Sequence, residues 1–273
     1  MGLITIDESK CKKDSFCEQE CPAVIIQLPA GGFPALVEDG DEMCLLCGHC
    51  VAVCPHGALD HKMIPREKSP AIRKDLAINA EQAGQFLRSR RSIRRYRNKP
   101  VEKEKSQALI EMARYAPTGG NRQPIEWLVI NDKSLMKRLG ELTAGWLRQL
   151  AKDPAVVAAM PYVLKVVEGW DAGFDTVLRG APTLITAMTP PEAVNGTVDL
   201  TIALSYLELF APTIGLGTCW AGLLHGAMMS IPSIKTEMGV PENYPHHYPM
   251  MVGYPDVKFY RVPERKQPKI TFV

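Results

Sequence analysis

The chain lacks a long unbroken apolar run. The best candidate, Leu200 to Leu216, carries Glu208, Tyr206 and Pro212 and falls short of the roughly eighteen uncharged apolar residues that read as a membrane span. The amino terminus, Met1 to Lys10, lacks the basic-then-apolar pattern of a secretory signal, so the expectation is a cytoplasmic protein with no membrane partner. A strong charge of either sign is also missing. The 32 basic and 30 acidic residues leave a net charge of +2, which singles out no class of partner. No Gly-x-Gly-x-x-Gly fingerprint occurs, which counts against a dedicated dinucleotide-binding domain. Cysteine is nearly absent from the carboxyl-terminal four-fifths: beyond Cys54 only Cys219 remains.

What is present is concentrated at the start. Cys44, Cys47, Cys50 and Cys54 stand at spacings of two, two and three residues and are closed by Pro55. In the bacterial iron-sulfur pattern three such thiols hold one 4Fe-4S cluster and the fourth reaches across to a second, so one run predicts another. Cys11, Cys17, Cys21 and Pro22 lie thirty-three residues upstream of Cys44, Cys50, Cys54 and Pro55, an internal repeat. Each half reads as a short strand (Ile4 to Asp7, Val37 to Gly40), a cysteine loop and a turn after Cys-Pro. One position departs: opposite Cys47 stands Asp14. A carboxylate is a harder and weaker ligand for iron than a thiolate. An Asp-ligated 4Fe-4S cluster, a 3Fe-4S cluster and a cluster with an exchangeable corner are all open.

Structural zinc is the bland alternative for these cysteines, but zinc knuckles use two well-separated pairs, whereas here three thiols crowd into seven residues. Disulfides suit a secreted chain and are disfavoured. Residues 1–65 resemble a bacterial two-cluster ferredoxin, and such oxygen-sensitive clusters point to an anaerobic or microaerobic cell.

At 273 residues the chain has room for this module and a larger domain with its own core. Pro65 and Pro70 bracket a polar linker, and from Asp75 a helical period begins at Leu76, Ala80, Ala83 and Leu87. It runs into Arg90-Arg91-Ser92-Ile93-Arg94-Arg95-Tyr96. Guanidinium groups interleaved with a hydroxyl suit a phosphate, although such runs often serve solvation alone. A second helix, Glu102 to Ala116, stops at Pro117 and is followed by Thr118-Gly119-Gly120-Asn121-Arg122-Gln123-Pro124 and an apolar strand, Trp127 to Ile130. The glycines free the backbone for close approach. Helices are expected over Ser134–Ala151, Ala155–Glu168 and Asp199 to about Ile214, with a buried strand over Ala181–Ala187. The last of these helices delivers Gly217-Thr218-Cys219-Trp220-Ala221-Gly222. His246 and His247 fall in a proline-bounded segment that reads as a loop, and Cys219 reads as a buried small residue.

The arginine run followed by Ala-Pro-Thr-Gly-Gly-Asn-Arg-Gln-Pro and then by Gly-x-Gly-Thr-Cys-Trp-x-Gly resembles the nitroreductase family of FMN enzymes over residues 71–273, here in its ferredoxin-fused form. The resemblance implies an α+β chain: a two-cluster ferredoxin-like module, then a three-layer α/β/α domain. It assigns Arg90, Arg91, Ser92 and Arg94 to the FMN phosphate and the adjoining polar edge, and Arg265 and Lys266 to a second phosphate segment. Pro117, Thr118, Gly119, Gly120, Asn121 and Gln123 would form a loop supplied by the other subunit, and Gly217, Thr218, Cys219, Trp220, Ala221 and Gly222 would lie beside the ring. It further implies a homodimer, clusters ligated by Cys11, Asp14, Cys17, Cys21, Cys44, Cys47, Cys50 and Cys54, and reduction of a small organic acceptor such as a nitroaromatic or quinone. A ferredoxin-type donor or NAD(P)H would supply the electrons. Two other readings stay open: clusters that export electrons while a substrate is oxidised, and a non-catalytic electron carrier or redox sensor. Nucleic acid binding has only the basic runs behind it, and the phosphate assignment already uses the better one.

Overall fold

The computed structural model describes residues 2–273. Contacts divide them into two compact units, one reaching to Ile78 and including Gly120–Arg122, the other made of Asn79–Gly119 and Gln123–Val273.

In the first unit β1 (Ile4–Ile6) precedes α1 (Phe16–Gln19) and β2 (Ile26–Gln27), and β3 (Ala35–Leu36) precedes α2 (Gly40–Met43), α3 (His49–Val53) and β4 (Leu59–His61). The strands pair across the repeat: β1 with β4, and β2 with β3, both antiparallel. The strand of the second half lies at Ala35–Leu36 and not at Val37–Gly40, because Asp39 turns to φ 56° and starts α2. The thirty-three-residue shift is written into the backbone as well. Lys13 and Leu46, Ser15 and Gly48, and Val24 and Gly57 all have positive φ. Such a conformation is unfavourable for a branched residue like Val24, and the second half relieves it with glycine. Cys17, Ile25, Ile26, Val51 and Leu59 form the small core.

The second unit opens with α4 (Ala80–Ser89) and α5 (Lys103–Ala113). Asn79 caps α4 reciprocally with Gln82, so the helix starts there, and Lys74–Leu76 makes only a separate 3-10 turn. Next come β5 (Glu126–Ile130), α6 (Lys133–Leu150), α7 (Pro154–Ala159), α8 (Tyr162–Asp171) and β6 (Thr183–Thr189). The helix expected over Ala155–Glu168 is two, broken at Met160–Pro161, where proline cannot continue the hydrogen-bond ladder. Then follow α9 (Gly196–Phe210), β7 (Gly217–Trp220), α10 (Gly222–Ser230), α11 (Pro232–Met238) and β8 (His246–Gly253). His246 and His247 therefore lie in a strand and not in a loop.

These strands form one antiparallel sheet in the order β5-β6-β8-β7. All seven residues of β6 are buried, and alternate positions serve opposite layers. Leu184, Met188 and Met251 pack with Leu139 and Leu147 of α6, Val163 of α8, Leu224 of α10 and Ile234 of α11. Ile185, Ala187, Met250 and Val252 pack with Leu109 of α5 and with Leu200, Leu204 and Leu207 of α9. Each such leucine contributes about 1.5–3 kcal/mol by leaving water. With its 3-10 extension to Ile214, α9 is long and apolar enough by length and composition to cross a membrane, which the sequence reading denied it. Its buried face against the sheet identifies it as a core helix. Gly215, at φ 79°, ends the extension and lets the chain enter β7.

Candidate redox centres

The two cysteine runs fold into crossed cages. One small cavity is lined by Cys44, Cys47 and Cys50 together with Cys21 from the other run. The other is lined by Cys11, Asp14 and Cys17 together with Cys54. Burial pushes the Cys50 thiol up to about 11, and the neighbouring Cys47, Cys44 and Cys21 add to the rise. Cys17 is raised by burial too, with Cys54 and Cys11 as its charged neighbours. Thiolates gathered this closely need a cationic core to hold them ionised. All eight cysteines are free of disulfides. Among the described residues no three His, Cys, Asp or Glu side chains converge closely enough to grip a single ion; the donors surround a volume, which suits a multi-atom cluster.

Asp14 occupies the fourth corner of its cage with its carboxylate already engaged. Oδ1 accepts from Phe16 N at 3.3 Å, and Oδ2 lies 3.4 Å from His56 Nε2. His61, which the sequence reading passed over, is only 2% exposed, and its Nε2 lies 3.6 Å from Cys44 Sγ. Asn121, in the Gly120–Arg122 segment of the same unit, donates through Nδ2 to the carbonyls of Leu45 and Leu46 at 3.0 and 2.8 Å.

In the second unit Ile93 N donates to Thr218 O at 2.8 Å, and Arg97 N to Tyr254 O at 2.9 Å. The arginine run thus lies along β7, and Arg90, Arg91, Ser92 and Arg94 come together with Gly217–Trp220. The four do not share one task. Arg90 Nη1 is 2.9 Å from Glu208 Oε1, and the other oxygen of Glu208 accepts from Trp220 Nε1 at 3.1 Å. Arg91 Nη1 donates to the carbonyls of Arg88 and Arg90, while its Nη2 is buried with no partner among the described residues. Arg94 and Ser92 face Cys219: burial raises that thiol, and the Arg94 charge and then the Ser92 hydrogen bond oppose the rise. A half-open cavity beside the run is lined by Arg90, Arg91, Glu208, Thr218, Lys258 and Phe259. An orphaned guanidinium nitrogen beside a cation-lined cavity fits an anionic group.

Thr118 closes the loop on itself, and Gly119 ties it to α9. Gln123 N donates to Thr118 Oγ1 at 3.0 Å and Gly119 N to Asp199 Oδ1 at 3.1 Å; Gly120, Asn121 and Gln123 all have positive φ, and Pro117 is exposed. A Cβ on Gly217 would come within 2.4 Å of Ile93 Cγ1 and 2.9 Å of Pro255 Cγ, so that approach requires glycine, whereas one on Gly119 would meet the side-chain amide of Asn195, whose end can swing aside. Cys219 and Ala221 are buried, whereas Gly222 is exposed at the start of α10. Arg265 and Lys266 are not brought to the others: they lie in the exposed segment 257–273, which has neither helix nor strand. Sequence reasoning missed Glu208, although an acid inside an apolar helix was its signal. It also missed His225 of α10, which stacks on Tyr248 with ring centroids 4.2 Å apart; Tyr248 meets Trp220 edge-on at 5.0 Å.

Paired cysteine cages and a helix-sandwiched antiparallel sheet with a cation-lined edge define the electron-transfer class. A model of the nitroreductase family matches residues 87–254, and one of the 4Fe-4S dicluster domain matches residues 9–59. The chain belongs to the nitroreductase family and carries an iron-sulfur module. It is 25% identical over 191 residues to an NADH dehydrogenase/NAD(P)H nitroreductase of Archaeoglobus fulgidus, covering 69% of this chain and 95% of that one. It is 28% identical over 142 residues to the FMN reductase [NAD(P)H] of Bacillus subtilis, covering 51% and 53%. Among solved structures, the nitroreductase with bound FMN from Bacteroides fragilis shares the fold with a TM-score of 0.57 at 22% identity, covering 72% of this chain and all of that one.

Proposed function

We propose that this protein is an FMN-dependent oxidoreductase of the cytoplasm that takes in single electrons through its iron-sulfur module and reduces a small organic acceptor of nitroaromatic or quinone type by hydride transfer. The observation that carries the reading is the presence of two crossed cysteine cages in one chain with a nitroreductase-family domain. The FMN named for the Bacteroides fragilis structure and the activity named for the Bacillus subtilis relative support the choice of flavin. Clusters exchange one electron at a time and a flavin one or two, which is the chemistry these groups supply when bound.

The chain's own residues have separable tasks. Arg91, through its unpartnered Nη2, would meet the anionic end of FMN, with Ser92 and Arg94 extending the polar edge. Gly217–Gly222 would lie against the ring, Gly217 admitting the arginine run to β7 because it has no Cβ. In a homodimer, the partner's copy of the 117–123 loop would complete the site, and the exposed tail with Arg265 and Lys266 would reach across the pair. Cys21, Cys44, Cys47 and Cys50 would hold a 4Fe-4S cluster. Cys11, Cys17 and Cys54 would hold the second, with Asp14 a weak fourth ligand because Phe16 N and His56 already engage its carboxylate, so that part of the population is 3Fe-4S. A ferredoxin-type protein or NAD(P)H would be the donor.

The test is an anaerobic reductive titration of the holoprotein, following flavin absorbance together with electron paramagnetic resonance of the clusters. The reading expects the resonance of the reduced 4Fe-4S cluster to appear and the flavin absorbance to bleach on reduction, and both changes to reverse together when a nitroaromatic is added. Zinc in place of iron, or reduced clusters beside a flavin that stays oxidised, would sink it.

A further inference from the structure

The thirty-three-residue repeat makes the two cages near copies, so the places where the copies differ are where their properties can differ. Asp14 opposite Cys47 is one such place. His61 is another, because the matching position in the first half is Leu28, which has no side-chain donor. Leu28 spends its backbone N–H on Glu18 Oε1 at 3.1 Å.

His61 sits in β4, paired with Ile4 of β1, and the chain reverses directly after it. That reversal fixes its proton. The backbone N–H groups of Met63 and Ile64 both point at His61 Nδ1, at 3.1 and 3.2 Å. A ring nitrogen that accepts two N–H donors carries no hydrogen of its own, so in the neutral imidazole the hydrogen is on Nε2. The remaining nitrogen, Nε2, lies 3.6 Å from Cys44 Sγ, and sulfur is the acceptor.

We propose that His61 tunes the cluster held by Cys21, Cys44, Cys47 and Cys50, raising its reduction potential by donating the Nε2 hydrogen to the Cys44 sulfur. The inference rests on the iron-sulfur reading of that cage. Reduction adds one electron to the cluster and its thiolates; the added negative charge strengthens a hydrogen bond already aimed at sulfur, so the reduced form gains more than the oxidised form. No proton moves and no bond breaks. His61 is a positioning residue that acts through Cys44. The opposite cage has its own extra donor, Ala58 N to Cys54 Sγ at 3.3 Å, but that is a backbone group no side-chain change removes. Backbone N–H groups reach Cys17 and Cys50 alike, so they do not separate the cages. His61 is thus a side-chain donor that acts on one cluster and leaves the other alone.

The experiment is a potentiometric titration of the full-length holoprotein, monitored by electron paramagnetic resonance, for the wild type, His61→Phe and His61→Gln. His61→Phe keeps a ring and removes the donor; His61→Gln keeps an N–H. The expected result is that His61→Phe makes reduction of one cluster about tenfold less favourable, a fall of 59 mV for a one-electron couple, with the second cluster unmoved and His61→Gln in between. A second readout needs no variant: with 15N-labelled histidine, one ring nitrogen is expected to show hyperfine coupling to a reduced cluster. Two intact clusters by iron and sulfide count, with neither a shift in His61→Phe nor a histidine coupling, would overturn the proposal. Absence of clusters in the wild type would instead overturn the iron-sulfur reading beneath it.

Discussion

Glu208 holds two donors on two oxygens, Arg90 at 2.9 Å and Trp220 at 3.1 Å, and so ties the arginine run to β7 from the side of α9. The carboxylate side chain is 8% exposed and the guanidinium 31%, so removing either partner strands a largely desolvated group. Arg90→Gln and Glu208→Gln are each expected to destabilise the second unit by about 2 kcal/mol, the double variant by little more than either single one. Urea unfolding of the four proteins measures this, and fully additive losses would contradict the tie. His247 makes a different kind of prediction. Burial, followed by the charges of Lys235, His225 and His246, pulls its pKa down from 6.5 to about 4. Below pH 6.5 the unfolded chain takes up a proton that the folded chain refuses, so stability is full above 6.5 and falls as the pH drops towards about 4. Its Nδ1 has no partner among the described residues, so His247→Phe loses no hydrogen bond there. The variant is expected to lose about 1 kcal/mol less than the wild type for each pH unit below 6.5. Thermal melts of the two proteins at neutral and mildly acid pH check the difference, and parallel losses would count against it.

At the scale of elements, the meeting of Ile93–Arg97 with β7 depends on one missing methyl group. A Cβ on Gly217 would stand 2.4 Å from Ile93 Cγ1 and 2.9 Å from Pro255 Cγ, so Gly217→Ala is expected to push the arginine run off the strand. The expected loss is about 1–3 kcal/mol, as for other overpacked sites, with flavin binding weakened alongside. Equilibrium unfolding and fluorescence titration with FMN read the two effects, and a variant as stable as the wild type would contradict the contact. Much of this layer was legible in the sequence. The apolar periods gave α5, α6 and α9, and the paired glycines marked the 119–120 turn, whereas Gly217–Gly222 was read as small residues beside a flat ring and its strand β7 was not foreseen. The start of β8 was not legible, because Pro245 and Pro249 read as loop punctuation. Pro249 is tolerated where β7 has ended: its carbonyl accepts from Ala221 N at 3.0 Å. The Glu208 tie was invisible for another reason. Its partners lie far from it in sequence, and only the packing of α9 on the sheet brings them to one carboxylate.

For the whole molecule, the two units have cores of very different size. Among the described residues the first has a core cluster of five buried side chains, too few to hold its loops unaided, so cluster binding supplies much of its folding energy. The second has two apolar layers around its sheet. Anaerobic iron chelation is therefore expected to expose the first unit to protease while α4 to β8 stay protected, and calorimetry of the holoprotein is expected to show two transitions. A single transition, or loss of both units on chelation, would contradict this. The cysteine ligands were legible at this scale because a repeat of fixed period declares itself in one chain, whereas the uses of His56 and His61 depend on how the loops close. The crossing of Cys21 and Cys54 between the cages bears on how the module is made. The cage of Cys21, Cys44, Cys47 and Cys50 lacks donors until Cys50 has left the ribosome and the other until Cys54 has, so the first half of the module alone offers an iron carrier no finished site. The same crossing sets what one half can do by itself: cut from its copy, either half keeps three of the four donors of its own cage and needs a second copy to supply the fourth.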